Sequence, residues 1–192
     1  MDHELHFTGD ADADHLLSTD PLALIIGMLL DQQVAMETAF AGPHKLQQRL
    51  GGFDAARLAA MDPDELTEAM RQTPAVHRYP GSMAKRIIAL SAAVVEDYDG
   101  DVARLWTDGD PDGAEILRRL KKLPGFGEQK ARIFLALLGK QCGLQAPGWR
   151  EAAGAYGEDG ARRSIADVTD EDSLLQVRET KRAMKAAAKQ KA

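Results

Sequence analysis

From Leu22 to Leu30 the chain reads Leu-Ala-Leu-Ile-Ile-Gly-Met-Leu-Leu, and the run stops at Asp31-Gln32-Gln33. It is too uniformly apolar to be amphipathic, so it predicts a buried core helix. Pro21 suits its first turn and Asp20 its cap. A second helix is expected over Met36–Leu50, interrupted at Gly42-Pro43 and stopped by Gly51-Gly52. Asp62-Pro63-Asp64-Glu65 is a helix start, with a capping Asp, Pro in the first turn and acids after it. That helix runs to about Arg71. Pro74, Pro80 and Gly81 make Thr73–Gly81 a loop. Met83, Ile87, Leu90 and Val94 then mark a long amphipathic helix, ended by Asp97–Gly100. Asp108–Gly113 is a turn into a helix over Ala114–Leu120. Leu123-Pro124-Gly125-Phe126-Gly127 leads into an apolar helix over Gln129–Gly139. Cys142–Arg163 is the least regular stretch. A last helix, Ser173 to about Ala188, has apolar residues only at Leu174, Leu175, Val177 and Met184, so the basic tail 178–192 is expected to fray. Only Leu5-His6-Phe7 reads as a short extended segment. The class is all-α, without repeats.

At 192 residues the chain makes one domain, or two small lobes sharing a cleft. With 44% hydrophobic residues it is neither disordered nor collagen-like. No apolar run reaches the ~20 residues of a membrane span. The acidic opening, MDHELHFTGDADAD, has no Lys or Arg, unlike a secretory or organelle-targeting leader. The lone cysteine, Cys142, forms no intrachain disulfide and no cysteine-ligated iron–sulfur or zinc site, which points to a reducing cytoplasm. His3, His6 and His15 lack metal-ligand spacing, and Asp108-Gly-Asp-Pro-Asp-Gly113 is a turn lacking the ligands of a calcium loop, so no metal site is expected.

The net charge of −6 disfavours nucleic acid until its distribution is considered. Up to Asp20 there are six acids and no Lys or Arg. Arg118, Arg119, Lys121, Lys122, Lys130 and Arg132 form one basic segment, opposed by Glu128. Arg178, Lys181, Arg182, Lys185, Lys189 and Lys191 form another. A phosphate meets the local field, so an acidic protein can carry a basic face.

The most informative stretch is the hairpin at 114–139. Glycines in Leu123–Gly127 permit positive φ and close approach of another backbone. The amides opening the next helix present the positive end of its dipole. Such a bend binds a phosphate through main-chain groups and reads no sequence. Lys121, Lys122 and Lys130 add attraction. A plain αα-hairpin with a glycine connector is the unspecialised alternative.

The Leu-Pro-Gly-apolar-Gly bend followed by Lys-Ala and an apolar helix resembles the helix-hairpin-helix (HhH-GPD) DNA glycosylase superfamily. That superfamily includes endonuclease III and the adenine, 8-oxoguanine and 3-methyladenine glycosylases. Two more motifs share the resemblance in order: Leu29-Leu30-Asp31-Gln32-Gln33-Val34, and Gly81-Ser-Met-Ala-Lys85-Arg-Ile-Ile88. Together they span about residues 20–140, and the chain is most similar to an actinobacterial-type branch without an iron–sulfur cluster. The resemblance implies a two-lobed helical fold with a cleft. The hairpin grips double-stranded DNA carrying a damaged or mispaired base, and the nucleotide is flipped into the cleft. It further implies DNA contacts from Leu123, Pro124, Gly125, Phe126, Gly127, Gln129, Lys130, Lys122, Gln32 and Gln33. Gln33 is the match for the side chain that fills the emptied stack. A monovalent cation between the bend's carbonyls and a phosphate is also implied, as are a monomer and a nucleoid-associated, cytoplasmic location.

Hydrolytic base removal needs a carboxylate near the anomeric carbon. The superfamily places an Asp about 18 residues past the hairpin, where this chain has Gln145–Glu151 and no Asp. Glu151 from a shifted position, Asp167 after an insertion, or no such carboxylate at all remain open. The last would leave a non-catalytic protein that binds distorted or damaged DNA. Bifunctional relatives carry a Schiff-base Lys two positions after the second hairpin glycine. Here that residue is Gln129, so a monofunctional enzyme is expected. Lys130, about 100° further round the helix, is expected to face DNA or solvent. Trp149, His77 and Tyr79 are candidates for the base pocket.

Overall fold

The computed structural model describes residues 4–190; His3 and Lys191 lie outside them. The described residues contain helices and short 3-10 turns and no strand. The expected buried helix is α2 (Pro21–Leu30), capped by the Asp20 carboxylate on the amides of Leu22 and Ala23, and everything from Leu22 to Leu30 in it is buried. α1 (Ala11–Thr19), absent from the sequence reading, packs on α2 after an Asp10 cap. The extended residues before it are pinned by side chains of α1. The Asp14 carboxylate accepts the Phe7 and Thr8 amides, and Ser18 Oγ accepts that of Leu5.

The expected second helix is two, α3 (Met36–Phe40) and α4 (Gly42–Leu50), divided at Ala41 before Pro43. α3 sits tight on α2: a Cβ at Gly27 would lie 2.7 Å from the Phe40 ring. α5 (Ala55–Ala59) and α6 (Pro63–Arg71) pack along α7 (Pro80–Tyr98), which buries the predicted Met83, Ile87, Leu90 and Val94 stripe. α7 takes in Pro80 and Gly81, which the sequence had assigned to the preceding loop.

After the short α8 (Arg104–Thr107) come the hairpin helices α9 (Gly113–Lys122) and α10 (Glu128–Gln141). α11 (Trp149–Ala153) and two 3-10 turns, Gly154–Tyr156 and Ile165–Asp167, fold the irregular stretch back onto α10. α12 (Glu171–Gln190) carries the basic tail in helical form and is tied to α3 by an Arg178–Glu37 ion pair. The helices thus form two packed groups, α3–α7 and α8–α12, with α2 touching both. Among the described residues no single helix is long and apolar enough to cross a membrane.

Candidate nucleic-acid interface

The bend between α9 and α10 is built by dividing its residues between core and surface. Leu123 and Phe126 are buried, and Phe126 meets Phe134 edge-on at 6.0 Å. Their side chains anchor the bend and leave its main chain, with Pro124, at the surface. Pro124 is half-buried, and Gly125 and Gly127 are exposed. The Phe126 amide donates to the Leu123 carbonyl (3.1 Å), closing the turn. Gly125 has φ +84°, and a Cβ there would lie 2.5 Å from Leu29 Cδ1. Glycine is required twice over, for the backbone angle and for the contact. Gly127 starts α10 without any side-chain cap, so the first amides of the helix are not taken by a side chain.

The basic segment is largely neutralised locally. Arg118 and Arg119 both bind Glu115, holding its carboxyl down at about 2. Lys121 and Arg132 bind Glu128 and hold its carboxyl below the usual range. Lys122 remains exposed.

Lys130 corrects an expectation. Its side chain is largely buried rather than facing solvent, and Nζ donates to the carbonyls of Met28 (2.7 Å) and Leu29 (2.9 Å), with that of Asp31 at 3.5 Å. The last turn of α2 lies directly against the start of α10, and its terminal carbonyls are natural partners for an ammonium. Helix rotation alone could not reveal this, because the acceptors belong to an element about a hundred residues away. Burial pushes the amine down to about 8; the charge of Asp31 opposes the shift, and those of Arg86 and Lys181 add to it.

Just beyond those carbonyls the chain turns through Gln32 and Gln33. The Gln32 amide group donates to Leu29 O (2.8 Å), and its Oε1 accepts from Arg86 of α7 (2.8 Å). His77 completes the support. Its Nδ1 accepts the Tyr79 amide (3.0 Å), so Nε2 carries the proton and donates to Gln32 O (2.9 Å). His77 is buried and occupied as a clamp, whereas Tyr79 is 41% exposed with the Arg78 guanidinium 5.4 Å from its ring centroid. Gln33 is exposed with φ +58°, a conformation uncommon for a non-glycine residue. The three sequence motifs therefore meet: the bend packs on Leu29, Lys130 caps α2, and Arg86 holds Gln32.

Where they meet there is a cavity of about 400 Å³, lined by the turn (Asp31, Gln32, Gln33), by α10 (Gln129, Lys130, Ile133) and by Tyr156, Arg163, Lys181 and Met184. Its volume suits a small organic group. Three cations and a single carboxylate, that of Asp31, line it, so an acidic protein presents a local positive field here. Gln129 donates to the Tyr156 hydroxyl (2.9 Å) across one wall. Sequence reasoning missed Asp31, Tyr156 and Arg163 as site residues and named Lys181 only as part of a basic segment. Asp31 left a further signal, as a carboxylate adjoining the glutamine pair.

Asp167, Glu151 and Trp149 are placed elsewhere and do not line this cavity. The Asp167 side chain is buried. One oxygen binds Lys140 Nζ (2.6 Å), and the other accepts the amides of Arg163 (2.9 Å) and Ser164 (3.2 Å) in a capping box. Lys140 is eleven residues beyond Gln129 on α10, about 16 Å along the axis. Glu151 is an exposed acid on α11. Trp149 is half-buried, packs on Gly139 and lies under the Arg150 guanidinium at 4.5 Å. No group of three or more potential metal ligands occurs among the described residues.

Residues 26–190 match the HhH-GPD superfamily of base excision DNA repair proteins, and the chain belongs to that superfamily. Comparison with curated proteins and with solved structures gave no match. Membership makes this a DNA-binding protein of base excision repair, and the bend and cavity are where its three motifs converge.

Proposed function

We propose that this protein is a monofunctional DNA glycosylase that flips a damaged or mispaired base out of double-stranded DNA and hydrolyses its N-glycosidic bond. The observation that carries the reading is the convergence of the exposed bend, the exposed Gln33 and the cation-lined cavity around the last turn of α2. In this reading the main chain of Gly125, Gly127 and the first turn of α10 holds a backbone phosphate. Gln33 enters the stack, with the exposed Tyr79 and Arg78 beside it on the duplex side. The extruded nucleotide occupies the cavity, where Gln129 and Tyr156 offer polar contacts.

The monofunctional assignment rests on the two residues nearest the lyase position. Gln129 has no nucleophilic amine, and the Lys130 amine is engaged with three carbonyls. A monovalent cation at the bend fits the chemistry present, since the Leu123 carbonyl accepts one amide and keeps a second lone pair. A four-thiolate cluster does not fit, because Cys142 is the one cysteine in these 192 residues.

The test is a panel of duplexes carrying uracil, hypoxanthine, alkylated purines or oxidised bases, incubated with excess protein and then treated with alkali. The reading expects base loss from at least one lesion, with strands cut only after alkali. A nick without alkali refutes the monofunctional assignment. Tight binding with no base released from any lesion would make the protein a binding module for distorted DNA.

A further inference from the structure

We infer that Asp31 is the catalytic carboxylate of this site, the group that faces the sugar of the flipped nucleotide; the inference rests on the glycosylase reading above. Asp31 supplies the only carboxylate among the residues lining the cavity. Its side chain is 11% exposed. Buried carboxylates are ordinarily satisfied by donors. The two aspartates buried more deeply follow that rule: the carboxylates of Asp14 and Asp167 each accept two or more hydrogen bonds. Among the described residues, the partner of the Asp31 carboxylate is Lys181 Nζ at 3.8 Å, an ion pair too long for a hydrogen bond. Asp31 is therefore a largely buried acid that accepts no hydrogen bond among the described residues, and the space beside it is the cavity.

Its placement is rigid. The Asp31 amide is held by the carbonyls of Gly27 (3.1 Å) and Met28 (3.3 Å), while its own carbonyl lies by Lys130. Gln33 is two residues on, so one turn of chain carries both the side chain that enters the stack and the acid. A base displaced by Gln33 brings its sugar to the wall that Asp31 forms.

The chemistry needed there is charge stabilisation. As the bond from C1′ to the base nitrogen breaks, its electron pair leaves with the base and positive charge develops on the sugar. A fixed carboxylate beside C1′ stabilises that charge. A water oxygen then bonds to C1′. One of its protons passes through the carboxylate to the departing base nitrogen, and the other remains on the new hydroxyl. The products are the free base and an abasic sugar, with no other reactant consumed.

The test uses two duplexes with the full-length protein, one carrying a neutral tetrahydrofuran abasic analogue and one a cationic pyrrolidine analogue. Fluorescence anisotropy should show wild type binding the cationic duplex about tenfold more tightly. Asp31→Asn should bind both alike, and with a released lesion should lose roughly 100-fold in kcat with little change in KM. Lys181→Met separates this from a merely structural ion pair: it should weaken both complexes yet keep the preference for the cation. Equal wild-type affinities, an unchanged preference in Asp31→Asn, or loss of the preference in Lys181→Met would overturn the assignment. Wild type that binds neither analogue better than an undamaged duplex would overturn the glycosylase reading itself, and this assignment with it.

Discussion

Replacing Gly127 with Asp should produce a protein that is more stable and yet defective in DNA binding. Gly127 stands at the N-cap of α10 with φ −76° and ψ 177°, extended backbone open to any residue, and a Cβ there meets nothing within 4 Å. Aspartates already cap α1, α2, α5, α6 and α9, whereas α10 has no side-chain cap. An Asp at 127 would accept amides of the first turn and sit favourably at the positive end of the helix. Relative to glycine the cap adds a few tenths of a kcal/mol and the dipole a similar amount, about 0.5–1 kcal/mol together. At this chain length that raises Tm by about 1–4 °C. The same carboxylate takes the amides a phosphate would use and repels it, so duplex affinity should fall about 10–100-fold. The slope of log K against log salt should also flatten by about one phosphate's worth. Thermal melts and anisotropy titrations at several salt concentrations read both effects. Unchanged DNA affinity alongside a raised Tm would show that these amides do not hold the backbone. A melt several degrees lower would refute the capping argument.

Gln33→Gly should keep or raise Tm, because it relieves a positive φ at an exposed position, while base release falls at least tenfold; an unaffected rate would remove Gln33 from the mechanism. Asp167→Asn breaks a buried ion pair with Lys140 and should cost about 3 kcal/mol, a Tm loss of roughly 6–12 °C, with the rate of base release per folded molecule retained. A rate collapse at unchanged Tm would instead place Asp167 in the chemistry. For Lys130 the sign follows from its lowered pKa. Below pH 8 both folded and unfolded chains hold the proton and folding bears the cost of burying it. Between about 8 and 10.5 only the unfolded chain holds it, and the cost fades. Wild type should therefore gain up to about 3 kcal/mol relative to Lys130→Met as pH rises through that window, measured by urea unfolding; a flat difference would contradict the burial argument.

What could be read from sequence was whatever depends on near neighbours along the chain. The uniform run Leu22–Leu30, the Asp62-Pro63 start and the stripe on α7 identify helices because burial and capping act over a few residues. The bend was legible for the same reason: its glycines and its two buried anchors lie within five residues. Short α1, α5 and α8 escaped notice because tertiary packing rather than a long periodic pattern supports them. The site was half legible. The three motifs were evident, but their meeting at the last turn of α2 is a property of packing. Lys130 shows the difference most clearly, since its direction depends on carbonyls contributed by α2. Asp167 was a candidate only on the assumption of an insertion after the hairpin, and its bonds to Lys140 and two amides appear only once the chain is folded. Asp31 was hidden by its position, because an acid after an apolar run reads as a helix stop.

The most direct test is a crystal structure of the protein with a duplex carrying the tetrahydrofuran abasic analogue. A phosphate oxygen should lie within hydrogen-bond distance of the main-chain amides at 127–129, Gln33 in the gap in the stack, and the analogue's sugar beside Asp31. DNA seated on another face, with the bend around Phe126 left in solvent, would contradict it.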